Sequence, residues 1–528
     1  MSWLDTPFLI INVIQHVALL ADVIALLRAL PATNIGPALS ALERLTTAMN
    51  LDGPEAGSCY GDGTVPCNHH QPICSLWPTL VLDNIPTDHR VLAVAALPVF
   101  RVVRISASDR LNLEGWTGFE LPPDVALSIS NASLLQPFLA LIRRWHHRIG
   151  AAGIVLVNND RRFRDEMCVG LAACPHLAHV SVTGIEQYGH PTVEHFAETV
   201  AAFVRACPNL RSLDVQTPQG SEPVDVQYAL VPWLQSGRAS ALYLVEAALS
   251  DAGNFAIAVA ASRLERLTLH WTTDILDAIG SDSAISQLRY LTALVVRGLF
   301  DGTDIAGVVS KLSPSAFTTL QLSQGQECDV SAAVDALSRL HALQEISLRT
   351  VWISREPHML STASCPALRK LQLAYLDVSD AAMATIVRWA STAKRLQSLE
   401  LVHCSVGANT VAVVTQALPQ WMARGLECLN LSHNKLDDVA VAVLAAAVRL
   451  GYNKYPLTVD LSTNRLTKTG VECLVNALEG CAKVVVKVGT NHFDEAAWQR
   501  MATEAIARSV VLHNSRVISA PLTRTHHS

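Results

Sequence analysis

The sequence predicts an α/β solenoid of about 16 strand–helix repeats, preceded by a small all-α segment. Three observations carry that prediction. An apolar frame recurs along most of the chain, its copies starting 23 to 33 residues apart. Behind the clearest copies, apolar side chains return at the spacing of one helical stripe. Half of the 528 residues are apolar and only 16% are charged, against about 25% charged in typical domains. That balance is too apolar for a disordered chain and too evenly mixed for a membrane one.

The frame reads apolar-x-x-apolar-x-apolar. It appears as Leu210/Leu213/Val215, Leu264/Leu267/Leu269, Leu291/Leu294/Val296 and Phe317/Leu320/Leu322. Leu343/Ile346/Leu348, Leu368/Leu371/Leu373, Leu396/Leu399/Leu401 and Leu426/Leu429/Leu431 continue it. Val459 with Leu461 and Val486 with Val488 keep only the alternating pair. Weaker copies lie at Trp77/Leu80/Leu82, Phe100/Val103/Ile105 and Leu177/Val180/Val182, with degenerate ones at Leu127/Ile129, Ile154/Leu156 and Leu242/Leu244. Alternation of this kind marks a short strand with one buried face. No such unit buries its apolar face alone, so a fixed period implies stacking into one continuous core.

The second half of each unit predicts a helix. After Leu401, Leu431 and Leu461 come Val411/Val414/Leu418, Val441/Leu444/Val448 and Val471/Leu474/Leu478, each set on one helical stripe. Ser379, Asp437 and Thr467 stand where helix N-caps belong. Six cysteines (Cys168, Cys174, Cys207, Cys365, Cys428, Cys473) fall at repeat cores or joints, so the cysteines read as reduced thiols rather than a disulfide framework.

At these residues the chain resembles the leucine-rich repeat family, whose fold is a horseshoe-shaped solenoid. Leu429–Leu436 (LNLSHNKL) and Val459–Leu466 (VDLSTNRL) resemble its ribonuclease-inhibitor subtype. The resemblance implies that Asn434 and Asn464 bond backbone groups in the turn after the strand. Cys-Pro-x-Leu at Cys174, Cys207 and Cys365 resembles the cysteine-containing subtype of ubiquitin-ligase adaptors. The solenoid is expected over residues 77–493. A capping helix with Ala497, Met501 and Ile506 and a tail follow over 494–528.

Residues 1–50 lack the frame. Leu9, Ile10, Val13, Ile14 and Val17 form one helical stripe, Leu20, Val23, Ile24 and Leu27 a second, and Ile35–Met49 a third helix after Pro31. Short amphipathic helices before such repeats resemble an F-box, which docks on the Skp adaptor of cullin–RING ubiquitin ligases. Pro7 matches its opening proline, Leu9, Ile10, Val13 and Val17 its apolar positions, and Asp22-Val23-Ile24 its second helix. The resemblance assigns adaptor binding to Pro7, Leu9, Ile10, Val13, Val17, Val23 and Ile24. The acidic residue after the proline and the closing Cys-Arg-x-Trp are absent. A helical cap on the end of the solenoid explains the same stripes without an adaptor.

Residues 51–76 read as a Gly/Pro/Cys/His-rich linker. Cys59, Cys67, His69, His70 and Cys74 offer zinc ligands, but no pair has the tight C-x₂₋₄-C spacing of structural sites, so no metal is expected. Phosphate-loop, H-E-x-x-H and G-x-S-x-G motifs are absent from the sequence. Neither an enzyme nor a cofactor is expected. A net charge of −6 without a basic block argues against nucleic acid. The apolar run Phe8–Leu30 is broken by Asn12, Gln15, His16, Asp22 and Arg28, and Asp5 precedes it instead of a basic residue. It fits neither a membrane span nor a signal peptide. The expected setting is intracellular, cytoplasmic or nuclear.

What remains is a binding surface. Residues between the alternating leucines point away from the core, which in this fold is the concave face. Their charges mix from Arg266 to Glu400, with Trp271 and Tyr375 close by. Arginine and aromatic side chains are enriched where interfaces concentrate energy. Arg266, His270, Glu345, Arg349, Lys370, Gln372 and Glu400 are therefore the expected contacts for a protein partner. Two functions fit: a substrate-recruiting F-box subunit of an SCF-type ubiquitin ligase, or a non-enzymatic scaffold or inhibitor with no ligase link.

Overall fold

The computed structural model describes residue 11 and residues 20–30, 35–48, 79–108, 116, 119–157, 161–185, 195–218, 224–272, 274–324, 328–479, 481, 483–493, 495–508 and 510–513. The fold is an α/β leucine-rich-repeat-type solenoid that divides into two compact units, up to Ala248 and from Leu249 onward.

In the first unit, seven strands run parallel in chain order: Thr79–Val81, Val102–Ser106, Ala126–Ala132, Ile149–Leu156, His179–Gly184, Ser212–Gln216 and Ala241–Val245. Each begins within a few residues of a copy of the apolar frame, including the degenerate ones. The register slips between Ala126–Ala132 and Ile149–Leu156, where Asn131 takes a left-handed φ of 49°. Ahead of the first strand lies the helix Pro37–Ala48. It buries Leu39, Leu42 and Leu45 completely and packs on the helix Arg90–Ala96 and the turn Leu97–Val99 of the first repeat.

In the second unit ten strands run parallel in chain order, from Arg266–His270 to Val511–His513. Leu267, Leu294, Leu320, Ile346, Leu371, Leu399, Leu429, Val459 and Val486 align in one buried row. Each fully buried aliphatic side chain contributes roughly 1.5–3 kcal/mol, so the row forms a continuous spine. Helices such as Asp380–Ala390, Ala408–Arg424, Asp438–Leu450 and Lys468–Leu478 return the chain between strands. Ser379, Asp437 and Thr467 cap three of these, accepting from the N–H groups of Ala382, Ala440 and Thr469.

Polar side chains stitch neighbouring repeats together. Asn434 donates to the carbonyls of Leu401, Leu431 and Ser432 and accepts from the N–H groups of Cys404 and Val406. Asn464 repeats the pattern one unit later, and Asn491, which the sequence reading passed over, repeats it again. Asp380 opens one helix, yet its carboxylate accepts from the N–H groups of Gly407, Asn409 and Thr410 at the start of the next. Asp438 does the same for Thr467.

Three details depart from expectation. Cys473 faces solvent on the outer side of Lys468–Leu478 instead of sitting in the core. In the C-terminal helix Glu495–Ala507, Ala497, Met501 and Ala505 turn inward, while Ile506 is exposed. Beyond it Val511–His513 adds a further strand to Val484–Lys487, whose open edge would otherwise leave backbone groups unpaired. No helix among the described residues is long and apolar enough to cross a membrane.

Candidate functional site

The buried rows of the second unit alternate with three outward columns, because successive side chains of a strand point to opposite faces. The first column reads Arg266, Ala293, Thr319, Glu345, Lys370, Ser398 and Cys428. The middle one reads Thr268, Val295, Gln321, Ser347, Gln372, Glu400, Asn430, Asp460 and Lys487. At the strand ends stand His270, Arg297, Ser323, Arg349, Ala374 and Val402. All seven residues expected to contact a partner lie on these columns. Arg266 and Glu345 are exposed; His270, Arg349, Lys370, Gln372 and Glu400 are half-buried.

Five of the side chains on this face are tied together. Glu400 accepts from Gln372 at 3.2 Å and Ser398 at 3.1 Å, and its carboxylate lies 3.6 Å from the Lys370 ammonium. Gln372 in turn accepts from Ser347 at 3.1 Å. The network holds the centre of the face in one arrangement, which lowers the ordering cost of binding. Two alanines on the outward columns, Ala293 and Ala374, are nonetheless buried, Ala374 between its register neighbours Arg349 and Val402.

Beside the strand ends runs a rim of residues in the left-handed region: Trp271, Thr350, Tyr375, His403, His433, Thr463 and Thr490. Among these, Tyr375 stacks on His403 with ring centres 5.0 Å apart, and His403 neighbours His433 at 6.5 Å. Burial and the neighbouring His403 hold His433 below the usual histidine range, against the pull of Asp460. His270 is lowered by burial and by Arg297. Arg297, His403 and His433 escaped the sequence reading. Arg297 occupies the frame position of His270 and Arg349, and that offset was the available signal. For the histidines the signal was an offset too: His403 and His433 stand two residues after Leu401 and Leu431, as Trp271 and Tyr375 stand after Leu269 and Leu373.

Elsewhere, His179 in the first unit lies 2.9 Å from the Ser212 hydroxyl through Nδ1 and 3.5 Å from the Asp214 carboxylate through Nε2. Burial raises the Asp214 carboxyl above its usual range, with His179 opposing. The three stand on adjoining strands at outward, half-buried positions. A cavity of about 440 Å³ in the second unit is lined by Asp301, Asp329, Ser331 and Arg355 among others. Its carboxylates are engaged in turns: Asp301 caps Thr303, and Asp329 accepts from Ser331 and Ser354. Among the described residues, no group of three or more His, Cys, Asp and Glu side chains is placed to hold a metal ion.

Of the residues assigned to an adaptor, Pro7, Leu9, Ile10, Val13 and Val17 lie outside the described residues, as do the linker 51–76 and its cysteines and histidines. Val23 and Ile24 are described, on the helix Leu20–Ala29, and both are buried.

The Leucine Rich repeat family matches residues 425–445. That stretch holds the strand Cys428–Asn430, the ladder residue Asn434 and the capped start of the helix Asp438–Leu450. No curated protein matches the chain. The match and the many-stranded parallel sheet support a leucine-rich repeat protein, a protein–protein interaction module.

Proposed function

We propose that this leucine-rich repeat protein is non-catalytic and holds a partner protein on the outward strand face of its second unit. The observation that carries the reading is the continuous set of outward columns from Arg266 to Lys487, mixed in charge, edged by aromatic rings and internally braced around Glu400. Such a surface spans far more area than a small metabolite needs, and it places arginine and aromatic side chains where interfaces concentrate energy. The test is affinity capture with the full chain and with an Arg349→Glu/Lys370→Glu variant. Partners held by the parent and released by the variant are expected; equal retention would overturn the reading.

Within this function the finer reading is a substrate-recruiting subunit of a cullin–RING ubiquitin ligase, acting in the cytoplasm or nucleus. It would raise the concentration of substrate near the ligase and perform no chemistry itself. Its support is the resemblance of Pro7, Leu9, Ile10, Val13, Val17, Val23 and Ile24 to an F-box. The second reading is a scaffold or inhibitor whose first helices serve as a cap. The packing of Pro37–Ala48 on the first repeat and the burial of Val23 and Ile24 favour it. Co-purification of the full chain with a Skp-type adaptor separates the two. Binding abolished by Leu9→Asp/Val13→Asp supports the ligase subunit, and no binding by the folded chain supports the cap.

A further inference from the structure

We infer that the strand-end row from His270 to Arg349, with Trp271 and Tyr375 beside it, binds an extended acidic segment of the partner protein, a run of about six residues bearing Asp or Glu side chains. This deepens the proposed function and rests on it.

Four observations carry the inference. First, the row reads His270, Arg297, Ser323, Arg349 in direct register on consecutive strands. It is basic or neutral throughout, whereas the acidic positions of the same face, Glu345, Glu400 and Asp460, stand on the other two columns. Second, Arg297 and Arg349 are two strand spacings apart, about 10 Å, with the Ser323 hydroxyl position between them. That arrangement suits two carboxylates on one chain, since guanidinium groups bind carboxylates through paired N–H donors.

Third, an aromatic ring marks each end. Trp271 and Tyr375 both follow their strands in left-handed conformations, and both are 45% exposed. The Trp271 indole is seated on the next repeat by a glycine: a Cβ at Gly298 would stand 2.9 Å from the ring. His270 stacks on the same indole with ring centres 6.0 Å apart, and His403 stacks on Tyr375. Both rings are thus held in place with nearly half their surface outward. Fourth, the distance from the Trp271 strand to the Tyr375 strand is four spacings, roughly 19 Å. An extended segment rising about 3.3 Å per residue covers that span with about six residues.

The test is selection of displayed random peptides of about twelve residues on the full chain. Selected peptides are expected to carry at least two Asp or Glu within a six-residue window. A synthetic peptide from the selection is expected to lose at least about tenfold in affinity on Arg297→Gln/Arg349→Gln, the size of one charge-assisted contact. Arg297→Glu/Arg349→Glu guards against a folding defect, because it should instead gain affinity for the same peptide with its acids replaced by lysine. Several results would overturn the inference: no selected peptide, peptides without acidic residues, affinity indifferent to both variants, or at least tenfold preference for phosphoserine over glutamate. If non-acidic peptides bind and Glu400→Lys or Gln321→Arg releases them, the partner-binding reading stands and only the acidic specificity falls. Bound peptides that respond to no strand-face substitution would overturn both.

Discussion

Replacing Asn434 with alanine should damage the second unit far more than the size of the change suggests. The side chain is 8% exposed and makes five hydrogen bonds of 2.7–3.2 Å to backbone groups of two successive repeats. Alanine leaves the N–H groups of Cys404 and Val406 without their acceptor inside the stack. An orphaned buried donor costs about 1–3 kcal/mol, and the carbonyls of Leu401 and Leu431 also lose a donor. A total of about 3 kcal/mol follows. The unit from Leu249 to Ser528 would unfold with an entropy of about 2.1 cal/mol/K per residue. If it unfolds cooperatively, the loss lowers its melting temperature by about 5 °C. Asn430→Ala is the control, because Asn430 stands half-buried on the outward face and accepts from Ser432 N–H. It should cost less than about 1 kcal/mol. Urea unfolding followed by circular dichroism compares the two. Equal midpoints within about 0.5 kcal/mol would refute the claim that the asparagine ladder joins the repeats.

Three further outcomes are expected. Gly302→Ala would drive a Cβ into the carbonyl of Asp329 and should lower the melting temperature, whereas Gly253→Ala meets only the Asp251 carboxylate at 3.4 Å and should leave it unchanged or raised. Burial alone would raise the Asp329 carboxyl, but hydrogen bonds from Ser331 and Ser354 outweigh it and bring it to about 2; those from Thr410, Asn409 and Gly407 likewise outweigh burial at Asp380 and hold it low. A carboxylate held below its unfolded value stabilises the fold above that value and loses the contribution as pH falls through the folded one. Urea midpoints should therefore drop between about pH 4 and pH 2, and Asp329→Asn/Asp380→Asn should flatten that slope. Burial pushes the Cys207 and Cys404 thiols up to about 12, so iodoacetamide at neutral pH should label exposed Cys473 first and those two only after unfolding, as mass spectrometry of the peptides would show.

The strands were legible because the alternating leucines repeat with little ambiguity, and even the degenerate copies at Leu127/Ile129 and Leu242/Leu244 mark real strands. Helix starts were legible where a short polar side chain preceded the stripe, at Ser379, Asp437 and Thr467. Asn491 went unread because its repeat keeps only Val486 and Val488, although its offset from the strand equals that of Asn464. Val511–His513 carries no frame at all; sheet-edge pairing placed it, and no local pattern announces that. Trp271 and Tyr375 of the aromatic rim were legible, but its backbone was not, since a left-handed conformation is uncommon for residues other than glycine. The stacking of Tyr375 on His403 arises from the register of two consecutive repeats, Ala374 pairing with Val402. Five of the seven adaptor residues fall outside the described residues, so the F-box reading stands on its sequence resemblance.

The most direct measurement places a photo-crosslinking amino acid at single positions of the full chain in its native cell. Gln321 and Thr268 probe the strand face; Gln416 and Asn476 probe exposed positions on the helices. A common protein adduct from Gln321 and Thr268, missing from Gln416 and Asn476, is the expected result. The same adduct from the helix positions, with none from the strand face, would contradict a partner held on the strands.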